Sequence, residues 1–388
     1  MTQHGNRIYY GLFVAALALG AGCRAPTTVI GDDSTVYVST SDGPIHVYAL
    51  DRQLGRLAET SQIAGGVNPS YMAFSPDKRF AFAVNEADAA DSKALSFSVD
   101  RSDGRLTAIS STATGANGAP HLAVHPSGRW LGVAHYGGDA DEWTGGQTVV
   151  IPIARDGTLG QAGPLNLGVP DHPCVNAHQV VFTRRGDYAL VPCLGSDAVI
   201  SYRFERGTLA LNEPAEVRLP SESGPRHLAF SPDQRHAYLL TEISEKVVWF
   251  DFDASTGRLE EVGQAQATKA PPVEGRRGWS GHILVHPSGK YLYVSNRSEG
   301  AEHGTENSLG VFALDADGAP TPLLDAFVTQ DVDTPRDFAI DPQGEYLISA
   351  NQNGDHSVLV FRIDPDTGSL TRTQLLQLEE PPVFVHVL

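Results

Sequence analysis

One pattern recurs six times along this chain and limits what it can fold into. Segments beginning at Met72, Leu122, Val180, Leu228, Ile283 and Phe338 each open on three mostly apolar residues. A turn follows, such as Ser75-Pro76-Asp77, His125-Pro126-Ser127-Gly128 or His286-Pro287-Ser288-Gly289, and a second apolar or aromatic run closes the unit. Strand, Pro/Asp/Gly turn, strand is the signature of a β-hairpin. A further apolar strand comes after each hairpin and ends in a turn that often reads Gly-x-Leu, as in Ile45 to Leu50 with Gly55 or Val247 to Phe252 with Gly257. The later turns carry Gly104, Gly157, Gly207, Gly318 and Gly368.

There are seven of these strand-and-turn elements but only six full hairpins. The missing half-hairpin lies at the two ends. Thr35-Val-Tyr-Val-Ser39 reads as a second strand with no first, and Pro382-Val-Phe-Val-His-Val387 reads as a first strand with no second. Seven units of four strands, with the last strand completing the first unit, describe an all-β, seven-bladed β-propeller. Its ring is closed by the N-terminal strand pairing with the C-terminal one. Closure removes the open sheet edge that a linear array would leave. The short, β-branched, turn-punctuated strands exclude a helical solenoid of similar period. The propeller is expected over residues 34–388.

The N-terminal residues read as an export signal over 1–22. Arg7 gives a positive start, and Ile8 to Ala21 is apolar but short for a membrane span. Leu19-Gly20-Ala21-Gly22-Cys23 resembles a bacterial lipobox, with Cys23 as the lipidation site and Gly20 standing where Leu is usual. An ordinary secretory signal cleaved near Ala21 or Ala25 is the other reading. Both place the protein outside the cytoplasm of a bacterium, in the periplasm or anchored to a membrane by lipid, with 23–33 as a tether. Outside the cytoplasm, Cys174 and Cys193 are free to bridge or to remain two buried thiols. A formal charge of -18 repels nucleic-acid phosphates and argues against a nucleic-acid partner.

At this point the chain resembles the lactonase family of seven-bladed propellers, which includes bacterial 6-phosphogluconolactonases and fungal carboxy-cis,cis-muconate cyclases. The segments that carry the resemblance are Ala177-His-Gln-Val180, Gly224-Pro-Arg-His-Leu-Ala-Phe230, Thr241-Glu242, His286 to Arg297, Thr334-Pro-Arg336 and Ala350-Asn-Gln352. By position the resemblance implies His178, Arg226, Glu242 and Arg297 as active-site residues, with Asn296, Arg336 and Asn351 as substrate-binding neighbours. Relatives tend to read Asp-Leu-Gly after the His178 hairpin, where this chain has Cys193-Leu-Gly195. The implied partner is a small lactone or organic acid, taken by a monomer with no cofactor.

Strand geometry supports the same grouping. His178 and Arg226 stand just before the first strand of their hairpins, and Glu242 and Arg297 at the end of the second strand of theirs. Antiparallel pairing puts both sets at one end of the ring. Two arginines suit a carboxylate or phosphate, and Glu242 or His178 suits activation of water. Taken singly, each residue also has a structural explanation, and His121, His227 and His282 read as structural histidines. Three classes of function follow: a lactone hydrolase, a muconate-type cyclase, and a non-catalytic propeller that binds a ligand or protein. Asp171-His172-Pro-Cys174 matches no standard metal spacing. The acidic stretch Gly137 to Gly146, with Asp139, Asp141 and Glu142, reads as a surface loop ahead of a Ca²⁺ site. Glu299 to Asn307 is a Gly-rich insertion on the candidate face. No metal is required by these motifs.

Overall fold

The computed structural model describes residues 34–388 apart from 42, 67, 88–90, 138–146, 167 and 170. The export signal, Cys23, the tether and the carboxylates of the 137–146 loop lie outside the described residues. Seven antiparallel sheets form blades around an axis, each running outward from an inner strand, and a two-stranded ladder, Gly168–Val169 with His172–Pro173, lies in the connection between blades 3 and 4. The inner strands of blades 2 to 7 are Pro69–Phe74, His121–Val124, Val181–Phe182, Pro225–Phe230, Ser280–Val285 and Pro335–Ile340. Blade 1 takes its inner strand from the C terminus. Pro382–Val387 pairs with Ser34–Thr40 in the register Val36 to Val387 and Val38 to Val385, closing the ring as the sequence predicts.

Alternating apolar residues on each blade pack against the next blade, so the core is divided among the interfaces. Val36, Tyr48, Tyr346, Ile348 and Val385 join blades 1 and 7, and Tyr238, Leu240, Ile283, Leu292 and Phe312 join blades 5 and 6. The Gly-x-Leu turns are part of the same packing. Gly257 of blade 5 has φ +70°, and a Cβ there would lie 2.4 Å from the Tyr188 ring of blade 4. Gly368 of blade 7 repeats this against Tyr291 of blade 6. Only glycine satisfies both the positive φ and the close approach, which is why the residue recurs at that point of the repeat.

One blade departs from the four-stranded expectation. Blade 3 has three strands, His121–Val124, Trp130–His135 and Gln147–Pro152. Its outer position holds only the single bridges Ile153 to Leu159 and Thr148 to Asn166. Gly160, Gly163 and Pro164 interrupt that segment, and glycine and proline weaken a continuous ladder. Blade 4 is complete, but its inner strand is reduced to Val181–Phe182. The disulfide between Cys174 and Cys193, with Cα atoms 5.1 Å apart, joins the approach to that strand to the second strand of the blade.

Candidate functional site

The inner strands are irregular at the end of the ring where the predicted residues lie. In blade 5, Pro225 pairs with Thr241 and His227 with Leu240, so Arg226 is the extra residue of a bulge. Arg336 holds the same place in blade 7, between Pro335 paired with Asn351 and Asp337 paired with Ala350. His178 matches them in blade 4, directly after Ala177, which bridges Cys193. A bulge re-aims the side chain of its extra residue. The repeat therefore delivers His178, Arg226 and Arg336 to one end of the ring, where Glu242 and Arg297 follow directly on the second strands of blades 5 and 6.

Arg226, Glu242 and Arg297 are in direct contact and buried. Arg226 Nε and one terminal nitrogen of Arg297 both donate to Glu242 Oε2, each at 3.0 Å. Backbone carbonyls complete the hold: Gly281 accepts from Arg226 at 2.5 Å, and Ser280 and Trp279 from Arg297 at 3.0 and 3.1 Å. The Trp279 ring lies 4.3 Å from the Arg297 guanidinium. Burial, and for Arg297 also the neighbouring Arg226, pushes both guanidiniums below the usual arginine value. Their intrinsic basicity keeps them charged. Two cations share one carboxylate, so the cluster carries a net charge of about +1 in a strongly acidic protein. Glu242 Oε1 has no hydrogen-bond partner among the described residues.

His178 is buried beside this cluster. Burial, and then Arg226, Arg336 and Arg297, push its imidazole well below the usual histidine value, so it is neutral. Its Nδ1 has no partner among the described residues. His227 packs against His178 with ring centroids 5.1 Å apart, and His282 and Asp337 follow in turn. Arg226 approaches His227 Nδ1 at 3.3 Å, and His227 Nδ1 lies 2.7 Å from His282 Nδ1. The same Arg226 nitrogen lies 3.5 Å from His227 Nε2, and one of the two facing Nδ1 atoms carries the proton that bonds the rings. His282 Nδ1 lies 3.5 Å from Asp337 Oδ1, and Asp337 Oδ2 accepts from the Val385 amide at 3.0 Å. Burial pushes Asp337 up to about 7 and His282 down to about 3.

The remaining predicted residues divide. Arg336 is half-buried and pairs with Glu86 at 2.7 Å. Asn296 is fully buried, and its amide bonds Ala267 O, Ser308 Oγ and Ser280 Oγ. Asn351, also fully buried, donates to Ser357 Oγ at 3.1 Å. Among the described residues no cluster of His, Cys, Asp and Glu has the geometry of a metal site. The 299–307 insertion folds back on the chain before Trp279: Glu302 O accepts from Arg277 N at 3.0 Å, and Arg276 donates to Gly300 O and His303 O.

Sequence reasoning missed Glu86, Tyr136 and Arg277 on this end of the ring. Glu86 and Tyr136 directly follow the second strands of blades 2 and 3, the place that Glu242 and Arg297 hold in blades 5 and 6. Aligning the repeats column by column is the signal that finds them. Tyr136 packs its ring edge-on to His178 at 5.7 Å. Arg277 lies in a blade connection, outside the repeat.

The model of the seven-bladed β-propeller lactonases matches residues 34–387. This chain belongs to that family. The 6-phosphogluconolactonase of Pectobacterium carotovorum is 31% identical over 357 residues, covering 91% of this chain and 98% of that one. The Yersinia pestis 6-phosphogluconolactonase is 30% identical over 359 residues, covering 91% and 97%. Among solved structures, the periplasmic gluconolactonase of Pseudomonas aeruginosa superposes with a TM-score of 0.77 at 31% identity, covering 92% of this chain and 99% of that one. These lactonases span nearly the whole propeller, so the likeness is to an entire ring and not to one shared motif.

Proposed function

We propose that this lactonase opens a sugar lactone or another small acidic lactone at the Arg226–Glu242–Arg297 cluster, with His178 beside it. The observation that carries the reading is the sharing of one Glu242 oxygen by two buried guanidiniums. That arrangement leaves Oε1 to take a proton from water. The water oxygen adds to the lactone carbonyl carbon, Glu242 becomes neutral, and the negative charge passes to the new oxyanion. The charge facing Arg226 and Arg297 is unchanged in sign and number, so the two cations stabilise the oxyanion with little reorganisation. Collapse breaks the ring C–O bond, and the Glu242 proton passes to the departing oxygen. The product hydroxy acid then loses its own proton to solvent.

Charge also decides between the two candidate bases. If His178 took the proton, an imidazolium would form beside three guanidiniums, the repulsion that already depresses its pKa. Neutral His178 orients the water instead. Residues 1–22 act as an export leader, with Cys23 as the lipid attachment point. The Cys174–Cys193 disulfide suits an oxidising compartment, and the Pseudomonas relative is a periplasmic gluconolactonase.

The test is hydrolysis of a panel of sugar and acidic lactones by purified protein, beside Glu242→Gln and Arg226→Ala. Glu242→Gln leaves two buried cations without their counter-charge, so its folding is checked first by circular dichroism. Turnover by the parent and losses of about 100-fold or more in both variants are expected. Absence of turnover above the spontaneous rate on every lactone makes the protein a binding module. Full activity in both variants removes the cluster from the chemistry.

A further inference from the structure

Arg226 and Arg297 are held on Glu242, Arg336 on Glu86, and Arg276 on the carbonyls of the 299–307 insertion. Arg277 differs from all four, because its side chain is exposed. Its backbone is nevertheless fixed. Its amide donates to Glu302 O at 3.0 Å and its carbonyl accepts from Gly304 N at 2.8 Å. Two residues on, Trp279 lies against the Arg297 guanidinium, which ties this segment to the buried cluster. Tyr136 arrives from blade 3 with its ring edge-on to His178, and the charge of Arg277 acts on its phenol. Arg277 and Tyr136 thus both lie at the end of the ring that holds His178 and Glu242.

We propose that Arg277 recognises a negatively charged group of the substrate away from the reacting carbonyl, and so sets the preference for acidic over neutral lactones. The inference rests on the lactonase reading. The buried cluster has one surplus positive charge, and the oxyanion uses it. A second anionic group needs a second cation. An exposed guanidinium exchanges its water contacts for charge-assisted, bidentate bonds on a phosphate or carboxylate. The need is sharper because the protein's charge of -18 repels an anionic substrate at longer range.

The experiment compares kcat/KM on a 6-phosphorylated gluconolactone, a lactone with a free carboxylate and the neutral gluconolactone, for the parent, Arg277→Ala and Arg277→Lys. The preference for the charged lactone over the neutral one is expected to fall by about tenfold or more in Arg277→Ala, and to be partly kept in Arg277→Lys. The charged lactone whose preference collapses identifies the group as phosphate or carboxylate. Equal losses on charged and neutral lactones, or no loss on either, overturn the inference while the hydrolase stands. If the parent opens none of the three, the hydrolase reading fails. Calorimetry with 6-phosphogluconate then decides the inference separately: binding that needs Arg277 upholds it, and binding that ignores Arg277, or none, overturns it.

Discussion

At the scale of single residues, the site is a problem of buried charge, and Asp337 shows it most simply. Its carboxyl is 4% exposed, faces neutral His282, and is pushed up to about 7 by burial, against the milder pull of Arg226 and Arg336. Between about pH 4 and about pH 7 the unfolded chain has released this proton while the folded protein keeps it. Raising the pH through that window therefore removes stability, and the cost is complete above about 7. Asp337→Asn keeps an acceptor for the Val385 amide and abolishes the titration. Relative to the parent, the variant should gain on the order of 2–4 kcal/mol between pH 4 and pH 8. Urea unfolding at both pH values measures it, and an equal difference at the two ends would mean that Asp337 is already ionised at pH 4. None of this was legible from the sequence. The expectation that His227 and His282 are structural came from their place in the repeat, whereas their orientation depends on a tautomer chain between blades.

At the scale of the element, the repeat made six hairpins and the closing strand readable, because each needs the same turn and the same apolar alternation. It failed where a blade is incomplete. Blade 3 keeps its Gly157 turn but loses the outer strand to Gly160, Gly163 and Pro164. Blade 4 has a two-residue inner strand, and the segment that carries His178 is anchored largely by other means. Ala177 bridges Cys193, Asn176 donates to Tyr136 O at 2.7 Å, and the disulfide spans a sequence separation of 19. The cysteines were legible as a possible bridge, but the sequence holds no distance between them. Replacing both with alanine should cost about 2–4 kcal/mol. It should also lower kcat, because His178 lies on the freed segment. Thermal melts with and without reductant check the first effect and steady-state kinetics the second. A variant as stable as the parent would show that the hydrogen bonds around Asn176 and Ala177 suffice.

At the scale of the whole molecule, stability is divided among blade interfaces, and the ring holds only if every interface is made. The last strand buries Val383, Phe384, Val385 and Val387, each 5% exposed or less. Removing Pro382 to Leu388 forfeits roughly 6–12 kcal/mol of apolar burial, comparable to the stability of a typical domain. It also bares the edge of Ser34–Thr40 to other chains. The truncated protein is expected to aggregate or to lack cooperative unfolding, as size-exclusion chromatography and melting would report. A monomeric, sharply melting truncation would mean that the ring stands without its closing strand. The ring as a whole was legible because its period and its two half-hairpins are properties of the entire chain. Arg277 was not, because it lies in a connection that the period does not govern.

The closing strand also reaches the site. The Val385 amide bonds Asp337, Asp337 faces His282, His282 shares a hydrogen bond with His227, and His227 touches Arg226. During synthesis this order runs backwards in time: Arg226 leaves the ribosome long before Val385. A chain from which residues 382–387 have not yet emerged holds an arginine without its support and a first blade without its inner strand. The link from Val385 to Arg226 therefore forms only when that strand docks, so the step that closes the ring is also the step that braces the arginine.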